Sequence, residues 1–249
     1  MVELFNGDVK TYTGKIIRFP SNKKEQNRFD SYGYITNRIG ELQSIDDKSL
    51  EHFVSRCFDI LTYQDMINEI TDLLREQAML SQTFYFEGSA YGTHLHQDKP
   101  YIPSTIDRAI TIWIALEDIR EDAGRFCLYA GSHQTKLIDI SEYLTLPPHR
   151  REIKYLSDIR STIKSSSLEL IVPVMETGDT IIFDGNLIHG SLAPVNPQLS
   201  RHSITGLFIP DRYSNSYPNK IINGVNVSIE PSKYQELIFT NRQIKNCKI

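Results

Sequence analysis

The chain predicts an all-β core of jelly-roll type, a double-stranded β-helix with flanking helices, and three observations carry that prediction. From about residue 80 the sequence breaks into short β-branched and aromatic runs separated by Gly, Pro, Asp and Asn clusters. Eight such runs occur, and a jelly roll is the commonest way to close eight antiparallel strands. No repeat and no Gly-, Ser- or Pro-rich linker divides the 249 residues, so one domain over 1–249 is expected.

The elements follow in order. The first forty residues are polar, with apolar pieces at Lys15-Ile-Ile-Arg-Phe19 and Tyr32-Gly-Tyr-Ile35. Helical support is expected over about 45–78. One helix covers Lys48 to Ile60, with Leu50, Phe53, Val54 and Cys57 on one face. A second opens at Thr62-Tyr-Gln-Asp65, which has the form of a capping box, and continues through Met66, Ile70, Leu73 and Leu74. The jelly-roll core spans about 80–210, with strands at Gln82–Phe86, His94–Asp98, Ala109–Leu116, Arg125–Tyr129, Leu168–Val174, Thr180–Phe183, Leu187–His189 and Arg201–Pro210. A partly helical, lid-like insertion over about 134–167 interrupts it and contains Pro147-Pro-His-Arg-Arg151. From Asp211 the chain is rich in Asn, Ser and Tyr, gives weak strand signals and is assigned no element.

Composition narrows the function classes. At 40% hydrophobic and 23% charged residues the chain is ordinary globular material, long enough to bury a core without staples. A net charge of -4 and a pI near 6.0 disfavour nucleic acid as a partner. The longest apolar run, Ala109 to Leu116, is interrupted by Thr111 and is far too short to span a bilayer, so no membrane partner is expected. The start of the chain has neither a basic segment nor the apolar stretch of a signal peptide, and Cys57, Cys127 and Cys247 form no Cys-x-x-Cys. A cytoplasmic protein is the expectation.

Chemistry concentrates in Thr93-His-Leu-His-Gln-Asp-Lys99. On a strand, His94, His96 and Asp98 would project from one face, because side chains alternate with period 2. Three metal sites fit the segment. One is a metallo-β-lactamase-type zinc hydrolase, matched at Thr93, His94, His96 and Asp98 but with Lys99 in place of the last histidine. Another is a cupin-type set of His94, His96 and a later histidine. The last is the 2-His-1-carboxylate set of non-haem Fe(II) oxygenases, using His96, Asp98 and a distant histidine. The strand-rich texture downstream argues against the hydrolase, which needs alternating strands and helices.

Further along, Gly178-Asp-Thr-Ile-Ile-Phe-Asp-Gly-Asn-Leu-Ile-His-Gly-Ser191 places His189 after a buried strand and Ser191 two residues on. Arg201 heads the next apolar strand, and an arginine directed into a barrel needs an anion. Arg201 and Ser191 together offer a two-pronged cation and a hydroxyl, which suits the far carboxylate of 2-oxoglutarate. His96, Asp98 and His189 would then occupy one face of an octahedral Fe(II), leaving sites for 2-oxoglutarate and O2.

His96-Gln-Asp98, Trp113-Ile-Ala-Leu-Glu-Asp118, Ala130-Gly-Ser-His133, Gly178-Asp179, His189-Gly-Ser191 and Arg201-His-Ser203 occur in this order from about Ser81 to Pro210. The set resembles the phytanoyl-CoA dioxygenase family of Fe(II)- and 2-oxoglutarate-dependent oxygenases, whose fold is a jelly roll. The resemblance implies iron ligands at His96, Asp98 and His189, a co-substrate arginine at Arg201 and its supporting serine at Ser191. It further places Trp113 beside 2-oxoglutarate and Gln82 within reach of it. The family's Pro-Gly-Ser-His is Ala130-Gly-Ser-His133 here. His133 reads as a turn residue and His94 as a neighbour of the site, since a fourth close ligand would fill the open positions catalysis needs.

The activity implied is hydroxylation of a C–H bond in a small organic molecule, with release of succinate and CO2. Asp98 disfavours halogenation, which needs the carboxylate position for halide; desaturation, epimerisation and cyclisation stay open. The alternatives are a non-catalytic jelly-roll protein that binds a small molecule or sugar, and the zinc hydrolase. Arg150, Arg151, Lys154, Arg160 and Lys164 outnumber Glu152 and Asp158 in the insertion, which would suit an anionic substrate. Tyr101 and Ile102 are candidate pocket residues.

Overall fold

The computed structural model describes residues 7–10, 16–19, 38–40, 42–45, 48–86, 94–196 and 198–229. The apolar piece at 32–35, Thr93 and everything from 230 onward, Cys247 included, lie outside them. The strands in chain order are β1 (Gly7–Lys10), β2 (Ile16–Phe19), β3 (Arg38–Gly40), β4 (Ala78–Phe86), β5 (Ile110–Ala115) and β6 (Phe126–Tyr129). They continue with β7 (Leu170–Ile171), β8 (Thr180–Asp184), β9 (His189–Ser191), β10 (Ser203–Pro210), β11 (Asn219–Ile222) and β12 (Val225–Ser228). The helices are α1 (Glu51–Leu61), α2 (Gln64–Leu74) and α3 (Pro148–Ser165).

Strand alternation sets the layers. Along β5, Ile110, Ile112 and Ile114 join a core with Leu61, Ile67, Ile70 and Leu74 of the first two helices. Thr111, Trp113 and Ala115 therefore face the other way, into the barrel. β5 belongs to a large sheet ordered β11-β12-β4-β10-β5-β8, with β3 also paired to β4. Opposite lies a small sheet ordered β7-β6-β9. His96 adds to it through a bridge with His189, in which each backbone N–H donates to the other residue's carbonyl at 2.9 Å. The two sheets form the expected jelly-roll core, and among the described residues β1 and β2 pair only with each other.

One irregularity decides which residues of β4 reach the interior. β4 and β10 pair Leu207 with Gln82 but Phe208 with Leu80, so Ser81 is an extra residue in the ladder. Leu80 packs against the helices. Without the bulge Gln82 would lie on that same side; with it, Gln82, Phe84 and Phe86 turn inward opposite Leu207, Thr205 and Ser203. On the helix side, Gly206 lets α1 approach closely, because a Cβ there would meet Phe208 at 3.0 Å and Leu61 at 3.1 Å.

Several expectations are corrected. The segment His94–Asp98 is no strand beyond its bridge at His96, since the chain turns at Asp98 into a short 3-10 helix over Lys99–Tyr101 with Pro100 inside it. Thr62 does not cap α2. Its hydroxyl donates to the carbonyl of Phe58 at 2.6 Å, finishing α1, and Tyr63 stands at the N-cap. α2 buries Ile67, Ile70 and Leu74, whereas Leu73 is 53% exposed. The run Leu168–Val174 shrinks to the two residues of β7, and a left-handed Ser167 precedes it. β11 and β12 are new: they form a hairpin whose second strand runs parallel to β4.

The insertion packs into the core. α3 buries Tyr155 and Ile159 completely against Ile188 and Tyr143. The Tyr155 hydroxyl accepts a hydrogen bond from the backbone N–H of Gln97 at 3.0 Å.

Candidate active site

Two short segments carry the metal-ligating side chains, and the fold brings them together at the seam of the small sheet. Among the described residues, His96, Asp98 and His189 form the one group of three whose donor atoms all lie within 4.8 Å of one another. His96 Nε2 is 3.4 Å and His189 Nε2 3.7 Å from Asp98 Oδ1. Each imidazole is oriented from behind. His96 Nδ1 lies 2.7 Å from the carbonyl of His94, and His189 Nδ1 lies 3.0 Å from that of Leu187. A carbonyl only accepts, so each Nδ1 holds the proton and each Nε2 presents a lone pair to the shared point.

Asp98 reaches that point by the turn after Gln97. Thr111, facing inward from β5, donates to Asp98 Oδ2 at 2.7 Å and leaves Oδ1 turned to the imidazoles. Burial pushes the Asp98 carboxyl up, but His189, His96 and the Thr111 hydroxyl outweigh it and hold the pKa down at about 2. Burial and the neighbouring His96 lower His189 to about 4, against the opposing pull of Asp98. Both directions leave the donor atoms unprotonated at neutral pH, as a metal ion requires.

The residue between the ligands is fully buried and pinned on three sides. Gln97 Nε2 donates to the carbonyl of Asn186 at 2.8 Å, its Oε1 accepts from the N–H of Ile138 at 3.2 Å, and its own N–H meets Tyr155. The ligand-bearing turn is thus clamped between the β8–β9 connection and the insertion. Phe126 stacks on His189 with ring centroids 5.7 Å apart, and Phe183 closes in at 4.5 Å.

At the other end of the interior stands Arg201, 2% exposed. Its Nη1 donates to the carbonyl of Gly124 at 3.1 Å, while its Nε has no hydrogen-bond partner among the described residues. No described carboxylate pairs with it. Burial lowers its pKa to about 10, partly offset by the nearby Cys127. The guanidinium carbon lies 5.7 Å from the Trp113 ring and 5.8 Å from that of Phe86. A buried, aromatic-flanked and unpaired guanidinium fits an anion. Ser191 is buried and lies opposite Phe126 in the sheet, on the same inward face as His189. Gln82 is 8% exposed and makes no side-chain hydrogen bond to another described residue.

The remaining sequence candidates fall outside the cluster. His94 supplies its carbonyl to His96 but no ligand atom, and burial, His96 and Arg160 all hold its imidazole pKa below the ordinary value. His133 is exposed in a 3-10 turn, where the preceding Ser132 accepts the N–H of Ile188. His202 pairs with the Tyr85 hydroxyl at 2.6 Å on the helix side of the sheet. Tyr101 stands edge-on to His96 with centroids 6.4 Å apart, whereas Ile102 packs into the barrel floor. Lys154 pairs with Asp158 at 2.5 Å along α3. Thr111, Gln97 and Tyr155 are contributors that sequence reasoning missed. A hydroxyl interrupting the apolar run of β5, two residues from Trp113, was the one available signal. An apolar groove lined by Phe53, Ile60, Tyr63, Met66, Leu116 and Ile182 lies on the outer face, lined by none of the cluster residues.

Comparison with known proteins bears on family and fold. The family model for phytanoyl-CoA dioxygenase matches residues 21–203. Phytanoyl-CoA dioxygenase 1 of Oryza sativa subsp. japonica is 28% identical over 138 residues, covering 53% of this chain and 44% of that protein. The chain therefore spans less than half the length of that relative. Among solved structures, the non-heme alpha ketoglutarate dependent carbocyclase SnoK from nogalamycin biosynthesis superposes with a TM-score of 0.53 at 13% identity, over 73% of this chain and 66% of SnoK. EctD from S. alaskensis with bound Fe gives a TM-score of 0.53 at 18% identity, over 74% of this chain and 63% of EctD. At these identities the likeness establishes the fold.

Proposed function

Because this chain belongs to the phytanoyl-CoA dioxygenase family, we propose that it is an Fe(II)- and 2-oxoglutarate-dependent dioxygenase that hydroxylates a C–H bond of a small organic molecule. The observation that carries this reading is a pairing within one interior. Three unprotonated donors converge at one end, and a buried arginine with no carboxylate partner among the described residues stands at the other. A dicarboxylate co-substrate that chelates a metal needs both ends.

In this reading His96, Asp98 and His189 hold the iron. Arg201 and Ser191 take the far carboxylate of 2-oxoglutarate, Trp113 and Phe86 keep water off that ion pair, and Gln82 faces the co-substrate from β4. Iron bound with 2-oxoglutarate and O2 supplies the oxidising power for C–H cleavage, with succinate and CO2 as by-products. The protein's own share is orientation. Thr111 turns the carboxylate, the two backbone carbonyls set the imidazole tautomers, and Tyr155 and Gln97 fix the turn between the ligands. The substrate would enter on the side of His94, Tyr101 and Arg160, where the positive charge of Arg160 favours an anionic molecule. The free, buried thiols of Cys57 and Cys127 suit a reducing compartment such as the cytoplasm.

The test is direct. Purified protein is mixed anaerobically with Fe(II) and 2-oxoglutarate and scanned for the weak visible charge-transfer band of the chelate. A panel of small molecules is then scored for succinate release above the uncoupled background. Absence of the band defeats the reading, since neither a zinc hydrolase nor a simple binding module produces it.

A further inference from the structure

A second buried polar atom in the same interior lacks a partner. Thr205 Oγ1, on β10, is shielded from solvent and makes no hydrogen bond among the described residues. Thr205 is directly opposite Trp113 of β5 and Phe84 of β4, and its neighbours Ile204 and Phe208 belong to the helix-side core. Its side chain therefore faces the barrel interior, with Cβ about 5 Å from that of Trp113. The Arg201 guanidinium lies 5.7 Å from the same Trp113 ring. Two orphaned polar atoms, Thr205 Oγ1 and Arg201 Nε, thus flank one indole, and a buried hydroxyl without a partner is costly to maintain. One row further on, Leu207 sits opposite Thr111, the residue that holds Asp98. Thr205 accordingly stands between the metal cluster and Arg201.

The geometry points to Thr205 as a further co-substrate-positioning residue, whose hydroxyl donates a hydrogen bond to the distal carboxylate held by Arg201. The inference rests on the functional reading above. It gives that anion a third donor on the strand following Arg201, and it supplies a partner for a hydroxyl that the fold leaves without one among the described residues.

Calorimetric titration of Mn(II)-loaded protein, which binds without turnover, separates the two claims. Thr205→Val, which keeps the shape and removes the donor, is expected to weaken 2-oxoglutarate roughly tenfold. Thr205→Ser is expected to stay near the parent value. Affinity for 2-oxobutyrate, which lacks the distal carboxylate, should be the same in Thr205→Val as in the parent. The melting temperature of ligand-free Thr205→Val should be unchanged or higher, because the orphaned hydroxyl is gone; a purely structural hydroxyl would lower it. If Thr205→Val does not fold, Thr205→Ala carries the same comparison. Unchanged 2-oxoglutarate affinity in Thr205→Val, with strong loss in Arg201→Met, overturns this inference alone. Equal weakening of 2-oxobutyrate overturns the assignment to the distal carboxylate. Unchanged affinity in Arg201→Met overturns the co-substrate reading on which both rest.

Discussion

At the residue scale, the cluster depends on three side chains and on the atoms behind them. His96→Ala, Asp98→Ala and His189→Ala are each expected to lose Fe(II) binding, measured as metal content after anaerobic loading and desalting. His94→Ala should keep its iron, because His94 contributes a backbone carbonyl that alanine retains. Equal loss of metal in His94→Ala would replace Asp98 by a third imidazole in the ligand set. Thr111→Val tests the support of the carboxylate. Removing the hydroxyl that holds Asp98 Oδ2 is expected to weaken metal binding by roughly 10- to 100-fold, read from a competition titration with a chelator. The side chains meeting here were legible from residue type and order. Their support was not, because Thr111 and Tyr155 reach the ligand turn from distant positions that no local pattern connects to it.

Element by element, periodicity located the helices and the longer strands, and it failed where local chemistry competed with it. Thr62 had the right residue type for a cap, yet its hydroxyl was taken by the carbonyl one turn earlier. His94–Asp98 alternates like a strand, yet Pro100 and the turn at Asp98 cut it off, and that turn rather than alternation delivers the carboxylate. α2 ends on Arg75 with φ of 58°, a left-handed conformation that glycine adopts without cost. Arg75→Gly is therefore expected to stabilise the protein by about 0.5–1 kcal/mol in a denaturant titration. α3 offers the opposite case. Tyr155→Phe leaves the fully buried N–H of Gln97 without its acceptor, and should cost about 1–3 kcal/mol by the same measurement. A loss near zero would show that α3 merely rests on the ligand turn.

On the scale of the whole molecule, the eight-strand rhythm was enough to identify the jelly roll, because a two-sheet barrel is dictated by strand count and alternation more than by any single residue. The Ser81 bulge and the terminal hairpin escaped that reasoning, since both are settled by pairing across the sheet. The bridge between His96 and His189 has a thermodynamic side as well. It joins a segment before β5 to one after β8, so any ion gripped by both histidines acts as a removable cross-link closing a long loop of chain. Such an ion binds only the folded form, and at a hundredfold excess over its dissociation constant it adds about 2.7 kcal/mol. Mn(II) should accordingly raise the melting temperature by roughly 5–10 °C, and His189→Ala should abolish the rise while leaving the metal-free melting point far less affected. A chain stripped of its ion would therefore be left with a lower barrier to opening, because the barrel parts more readily along the seam that the ion holds shut.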